Sequence, residues 1–450
     1  MFAEGFYATQ LFPYGPWMTE SLRGSTDKLG PYTGLVYTAQ SSGMLATAYF
    51  WAVVSNRYGR RVCLLVGLCA NTTLCCVLAL STDYWFVIAL RVTTGLLNSN
   101  LANMRTALRE TFDHEGADDT WAFSALSVAF GAASVCGPSY GGVTYGAELP
   151  GTGGWWQPWS VPMFTCAALY GACLVVTSLL LPETAFLAHG PVSNGKSPEA
   201  GRRSPSAQHA VRPRRRGLLQ DFQFLLLLVM GGGHSYIFTG WEVSYPLIAR
   251  LPQSASGEHW NTRDIGFTFL IGSLFLMPYS LVFYPKIAAR VKVVRIWYMS
   301  AVMPLLAMLV LPRLVTYLCS AGTAGSSPLI VGINYGTQVL ISMLLGSGFI
   351  SIQLLLNTYV SGMPDAKRLL ALANSFLVST QALVRAVSPI STGALFTMGL
   401  AAEQTRSTAL MSRFLAFDSL AFVGLLTCVF CALAFERKQQ TEVAPARLPC

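Results

Sequence analysis

Runs of about 20 apolar residues dominate this chain, and that length crosses the hydrocarbon core of a bilayer as a single helix. Twelve such runs can be drawn, at roughly 2–20, 32–54, 62–81, 84–104, 121–145, 161–181, 221–248, 265–286, 293–311, 329–358, 369–397 and 414–435. Composition agrees: 53% of the 450 residues are hydrophobic and 11% charged, against about 25% charged in soluble domains. No soluble core could hide this much apolar surface, so lipid is the expected solvent. The expected fold is all-α and integral to the membrane, with twelve transmembrane helices in two six-helix bundles.

The runs fall into two groups around a polar connector. We expect an N-terminal bundle at 1–184, a linker at 185–218, a C-terminal bundle at 219–436 and a tail at 437–450. The linker is rich in Pro, Ser, Gly and Arg, as in RRSPSAQHAVRPRRR, a composition that cannot bury enough surface to fold. Of the 30 Lys and Arg, 21 fall on the linker's side, seven on the other, and two, Arg91 and Arg385, inside runs. By the positive-inside rule the linker and both termini lie in the cytoplasm. The membrane itself, plasma or vacuolar and organellar, is left open. The net charge of +9 thus reports topology, and no nucleic-acid partner is expected.

The two groups echo each other. GAASVCGPSYGG (Gly131–Gly142) in the fifth run and ALVRAVSPISTG (Ala382–Gly393) in the eleventh carry Pro138 and Pro389 at matching depth. Gly and Pro at corresponding places in two halves are what a transporter built from repeats shows, although they also serve ordinary close packing.

FWAVVSNRYGRR (Phe50–Arg61) is a basic turn between the second and third runs. Asn56, Arg57, Gly59, Arg60 and Arg61 resemble the gating loop of the major facilitator superfamily, G-x-x-x-D-R-x-G-R-R/K, with Ala52 for Gly and Asn56 for Asp. LRVTTG (Leu90–Gly95) matches the Arg-x-x-x-Gly of the family's fourth helix. Gly131, Gly137, Pro138, Gly141 and Gly142 resemble the fifth-helix motif of the antiporter branch, and LPET (Leu181–Thr184) the end of helix six in drug:proton antiporters. The zinc-induced facilitator-like group resembles the chain most, through LFP (Leu11–Pro13), LSTDYW (Leu80–Trp85), RDIGF (Arg263–Phe267) and RAVSPISTGALF (Arg385–Phe396). The resemblance implies alternating-access transport of a small solute, driven by protons in antiport and needing no cofactor. A facilitative uniporter, or a receptor or scaffold on the same fold, is the alternative, the latter motivated by Asn56.

Ionisable residues inside runs mark candidate sites, because each costs about 2.5–3.5 kcal/mol in hydrocarbon unless partnered. Glu242, in HSYIFTGWEVSYP, aligns with a helix-seven Glu of the resembled group and suits proton uptake; an interfacial Glu is the alternative. The antiporter resemblance gives Arg91 a role in coupling, against a structural Arg tied to backbone carbonyls. Arg385 could neutralise a carboxylate or face the cytoplasmic mouth. His234 could relay protons or simply pack. Glu4 reads as a second proton site or a solvated N-terminal residue, the latter favoured. Asn98, Asn100, Asn103, Gln40, Asn357, Asn374 and Gln381 are candidate cavity linings, and Tyr14, Trp17, Tyr37 and Trp241 a candidate aromatic site. No metal site is expected: His114, His189, His209, His234 and His259 do not cluster, and the Cys residues lie mostly in apolar runs without paired spacing. No HExxH, GxSxG or phosphate loop is present, so no enzyme and no cofactor are expected. The expected partners are a small-molecule substrate, protons and the lipid bilayer, with the chain acting as a monomer.

Overall fold

The computed structural model describes residues 1–98, 100, 103–104, 107–108, 120–147, 156–181, 218–361, 363, 366–404 and 412–443. Among these residues the chain is helical, without strands. The linker apart from Leu218, Pro182–Thr184 of the LPET stretch and residues 444–450 lie outside the described residues.

The first expected run is two short helices, α1 (Phe2–Thr9) and α2 (Gly15–Arg23). Proline explains the division. Pro13 disfavours helical backbone at Phe12, whereas Pro16 sits in the first turn of α2, where no N–H is needed. Helix α3 (Leu29–Tyr58) ends at Gly59, whose φ of 101° lets α4 (Arg60–Ala79) begin at once. Helix α5 (Tyr84–Leu97) opens on Asp83, which accepts the Phe86 N–H at 2.7 Å.

The expected run to 104 is interrupted at Asn98, which is extended (ψ 99°) and ends α5; residues 100 and 103–104 are helical again. The Asn98 side chain causes the break by accepting the Asn100 N–H at 3.1 Å, an Asx turn that competes with helix. Thr47 Oγ1 and Trp51 Nε1 donate to the Leu96 carbonyl at 2.9 and 2.7 Å, so this helix end is satisfied within the protein.

Helices α6 (Thr120–Thr144) and α7 (Ser160–Leu180) complete the first group. Next come α8 (Phe222–Ala249) and α9 (Thr262–Ala288). An Asn261–Asp264 capping box starts α9, and a π turn at Tyr279–Phe283 follows Pro278. Helices α10 (Val293–Ser320), α11 (Pro328–Ser361), α12 (Ala366–Gln404) and α13 (Leu415–Val443) follow. Helix α10 runs beyond its expected end at 311 and takes in Arg313. That charge is tolerated because Arg313 donates to the Leu309 carbonyl (2.7 Å) and to Asp418 of α13 (2.5 Å).

Eight described helices are long and apolar enough to cross a membrane: α4, α7 and α8 to α13. Their outer faces carry exposed large apolar side chains, such as Val175, Val176, Leu179 and Leu180 on α7 and Phe422, Leu425, Leu426 and Val429 on α13. In water such faces would be a liability; against lipid they are the expected surface. Helix α3 falls short in hydropathy because Thr33, Thr38 and Gln40 interrupt it, and all three are buried against neighbouring helices.

Two seams join residues 1–181 to 218–443. In one, α3 packs on α12; in the other, α6 packs on α9. Both use the repeated Pro-x-x-x-Gly. After Pro138 comes Gly142, where a Cβ would overlap the Thr262 carbonyl oxygen and crowd Gly266; after Pro389 comes Gly393, where a Cβ would overlap the Gly30 carbonyl oxygen. Hydrogen bonds between threonine side chains and backbone fasten the contacts: Thr262 Oγ1 donates to Gly142 O at 3.0 Å and Gly30 N–H to Thr397 Oγ1 at 3.1 Å. The echo between the halves is therefore a pair of equivalent close approaches. Both lie where α3 and α9 begin and α6 and α12 end, the side away from the linker. There, too, Arg250 at the end of α8 pairs with Glu20 of α2.

Candidate functional site

Burial of polar side chains within the bundle picks out the site. Glu242, 9% exposed, lies on α8 within electrostatic range of the half-buried Arg385 of α12. The two form no ion pair within 4 Å. Arg385 Nε is buried with no hydrogen-bond partner, and the guanidinium lies 5.9 Å from the centre of the Phe349 ring. His234, two helical turns before Glu242, meets the same ring edge-on at 4.8 Å. Its Nε2 is 2.7 Å from the Leu345 carbonyl oxygen, while its Nδ1 has no partner. Arg385 and His234 thus share Phe349, and Glu242 stands across from the arginine.

From the other half, Tyr37 on α3 lies in the field of both Glu242 and Arg91. Its hydroxyl donates to the Phe12 carbonyl at 3.1 Å, anchoring α3 to the segment between α1 and α2. Arg91 on α5 is 2% exposed. It donates through Nε to the Val36 carbonyl (2.7 Å) and through Nη1 to the Tyr7 hydroxyl (3.3 Å), with Tyr7's ring 5.3 Å away. The backbone tie weighed from sequence is present, and it fixes the guanidinium beside the aromatic cluster of Tyr7, Tyr14 and Tyr37. Trp241 donates to Gln338 Oε1 at 2.9 Å and stacks on Tyr245, whereas Trp17 lies under Arg250 nearer the sealed end.

The remaining expected residues do not join this group. In the basic turn, Gly59 supplies the bend. Arg60 donates to Ser55 Oγ at 2.8 Å, and Arg61 donates to the Ser178 carbonyl at 2.6 Å, a cation at the C-terminus of α7. Arg57 is exposed. The Asn56 side chain lies outside the described residues. In the α6 motif, Gly137 and Gly141 admit α1 and Gly142 admits α9. Pro138 sits within the helix and Gly131 about two turns earlier. Asn357 and Asn374 converge on Gln353, whose Nε2 donates to them at 3.1 and 2.7 Å, at the end of the bundle away from the seal. The described cysteines are all free, and no described cluster of His, Cys, Asp and Glu could hold a metal ion.

Sequence reasoning missed two acids, Glu258 and Glu20, and favoured the wrong surroundings for a third, Glu4. Glu4, favoured above as a solvated residue, is half-buried and accepts N–H from Asn98 (2.8 Å), Asn100 (2.7 Å) and Asn71 (3.4 Å). The break in α5 brings two of those asparagines to it. Glu258, in the loop before α9, is 8% exposed and accepts from Asn334 Nδ2 at 2.6 Å. It borders a small cavity with Trp241, Tyr245, Leu311 and Thr337, and burial pushes its carboxyl up to about 8. Glu20 pairs with Arg250 across the halves. Only Glu4 carried a signal in the sequence, since Asn98 and Asn100 sit two apart inside an apolar run.

The sequence model of the Major Facilitator Superfamily matches residues 1–389. The chain belongs to the major facilitator superfamily. Protein ZINC INDUCED FACILITATOR 1 of Arabidopsis thaliana is 25% identical over 409 residues, covering 86% of this chain and 80% of that protein. The multidrug resistance protein MdtG of Yersinia enterocolitica is 24% identical over 186 residues, 40% of this chain and 42% of its own. Among solved structures, a D-xylose-proton symporter superposes with a TM-score of 0.61 at 12% identity, covering 95% of each chain; this likeness speaks to fold alone. As a member of the superfamily, resembling its zinc-induced facilitator-like group and drug antiporter branch, the chain is a multi-pass membrane transporter of small molecules, not an enzyme.

Proposed function

We propose that this superfamily member is a proton-coupled antiporter that works by alternating access. Twelve crossings in two six-helix halves, 1–184 and 219–436, would be joined by the cytoplasmic linker 185–218, with both termini in the cytoplasm of a plasma or organellar membrane. One observation carries the reading: the buried Glu242 and the half-buried Arg385 lie within electrostatic range of each other without closing into an ion pair. A carboxyl and a guanidinium held so can exchange a proton for a pairing, or a pairing for a substrate charge, as the halves rock. Tyr37, in the field of Glu242 and of Arg91, supports a link between that exchange and the first half. The seal formed by α3–α12 and α6–α9, with Gln353, Asn357 and Asn374 near the other end, supports a state open toward the linker. A single chain supplies both halves, so the monomer is the expected working unit.

The test is flux in proteoliposomes. An imposed pH gradient should drive substrate against its own gradient, and Glu242→Gln should remove that drive while sparing exchange. Flux indifferent to the pH gradient would make the protein a uniporter; tight binding without flux would make it a receptor.

A further inference from the structure

The break in α5 creates a second polar centre that the Glu242–Arg385 reading does not use. Glu4 brings a formal negative charge to it, and among the described residues no cationic side chain pairs with that carboxylate. Three asparagines on two other elements surround it: Asn71 from α4, and Asn98 and Asn100 from the broken end of α5. Asn71 and Asn100 are 0% and 1% exposed, yet Asn71 Oδ1 and Asn100 Oδ1 have no hydrogen-bond partner. The buried Tyr170 hydroxyl, in electrostatic range of Glu4, also has none. Two buried carbonyl oxygens left unsatisfied beside a carboxylate would each cost about 1–3 kcal/mol. A cation that drew these oxygens toward the carboxylate would give them a partner.

We propose that Glu4, Asn71, Asn98 and Asn100 bind one monovalent alkali cation at the break in α5. The chemistry fits in three ways. The centre offers hard oxygen donors with a single formal charge, which matches +1; divalent ions of the calcium type draw on several carboxylates among six to eight oxygens. The end of an interrupted membrane helix presents the negative pole of its dipole, a recurring place for coupling ions. And a carboxamide is ambidextrous: a half-turn about its last bond exchanges Nδ2 for Oδ1. The asparagines donate to the empty carboxylate and, on rotation, present oxygen to an ion. Asn100 Oδ1 packs against Gly67, where a Cβ would overlap it.

The other titratable groups in range of Glu4 are the Met1 ammonium, Cys75, Tyr170 and Cys173. The ammonium donates to Met104 Sδ at 3.6 Å.

Thermal unfolding of the full chain in lipid nanodiscs tests the site, with sodium, potassium and choline chloride compared at equal ionic strength. An alkali chloride should raise the midpoint by about 2–4 °C over choline. Glu4→Gln should abolish the rise. Asn71→Ala, which keeps the carboxylate, should shift the half-saturating concentration about tenfold upward. Glu242→Gln should leave it intact, so this site and the proton site of the transport proposal stand or fall separately. Equal midpoints in choline and both alkali chlorides, a shift that survives Glu4→Gln, or no change with Asn71→Ala would each overturn the proposal.

Discussion

Glu4 and Glu242 pose the same problem, an acid among apolar helices, and the two halves of the molecule solve it differently. The first half surrounds Glu4 with neutral amides at a broken helix. The second sets Glu242 opposite Arg385 on an unbroken one, close enough to feel its field and too far to pair. Amides that rotate suit an ion that comes and goes without disturbing the helices. A charge held at a stand-off suits a group whose protonation alters how strongly two helices attract. On the transport proposal, the conformational response falls to the second half.

The largest effect should come from breaking the stand-off. Arg385→Ala leaves Glu242 buried without its counter-charge and should cost about 3 kcal/mol of stability. Adding Glu242→Gln should restore much of it. Thermal unfolding of the two variants checks this, and an equal loss in both would show that the charges do not sense each other.

Next come the amides. Asn98→Ala removes a 2.8 Å hydrogen bond to Glu4 and the Asx turn that breaks α5, so it should cost about 2 kcal/mol. Asn71→Ala removes only the 3.4 Å contact and should cost under about 1 kcal/mol in choline. The reverse order would mean that the break is not held by Asn98.

Outside the membrane spans, Glu258 sharpens the comparison as an acid with a single amide partner. Its carboxyl is raised from 4.5 to about 8. Between those values the folded state holds a proton that the unfolded state has released. Its contribution to stability is therefore full below pH 4.5 and is lost as pH rises through about 8. Glu258→Gln should flatten that slope in a pH series of unfolding midpoints. The smallest effect belongs to Glu20→Gln, which opens a partly exposed pair with Arg250 and should cost no more than about 1 kcal/mol.

Much of the fold was legible because lipid leaves so few choices. Apolar runs at 121–145 and 161–181 became α6 and α7 nearly residue for residue. The Pro-x-x-x-Gly echo foretold two equivalent approaches, and Gly59 its turn. What failed did so where a side chain rewrote the backbone: Asn98 interrupted the run expected at 84–104, and Arg313 entered a helix because Asp418, over a hundred residues on, neutralised it. Glu242 and Arg385 could each be singled out, but that they face each other depends on α8 packing against α12. The Glu4 cage needed residues 4, 71, 98 and 100 together, and no spacing along one element encodes that.

The central claim is that protonation of Glu242 moves the halves. It can be tested without knowing the substrate, by measuring the distance between spin labels at Asp27 and Ser254, one on each half at the sealed end, as pH is varied. Acid and base should favour different separations in the wild-type chain, and Glu242→Gln should hold one separation at every pH. A variant that still follows pH as the wild type does would contradict the account.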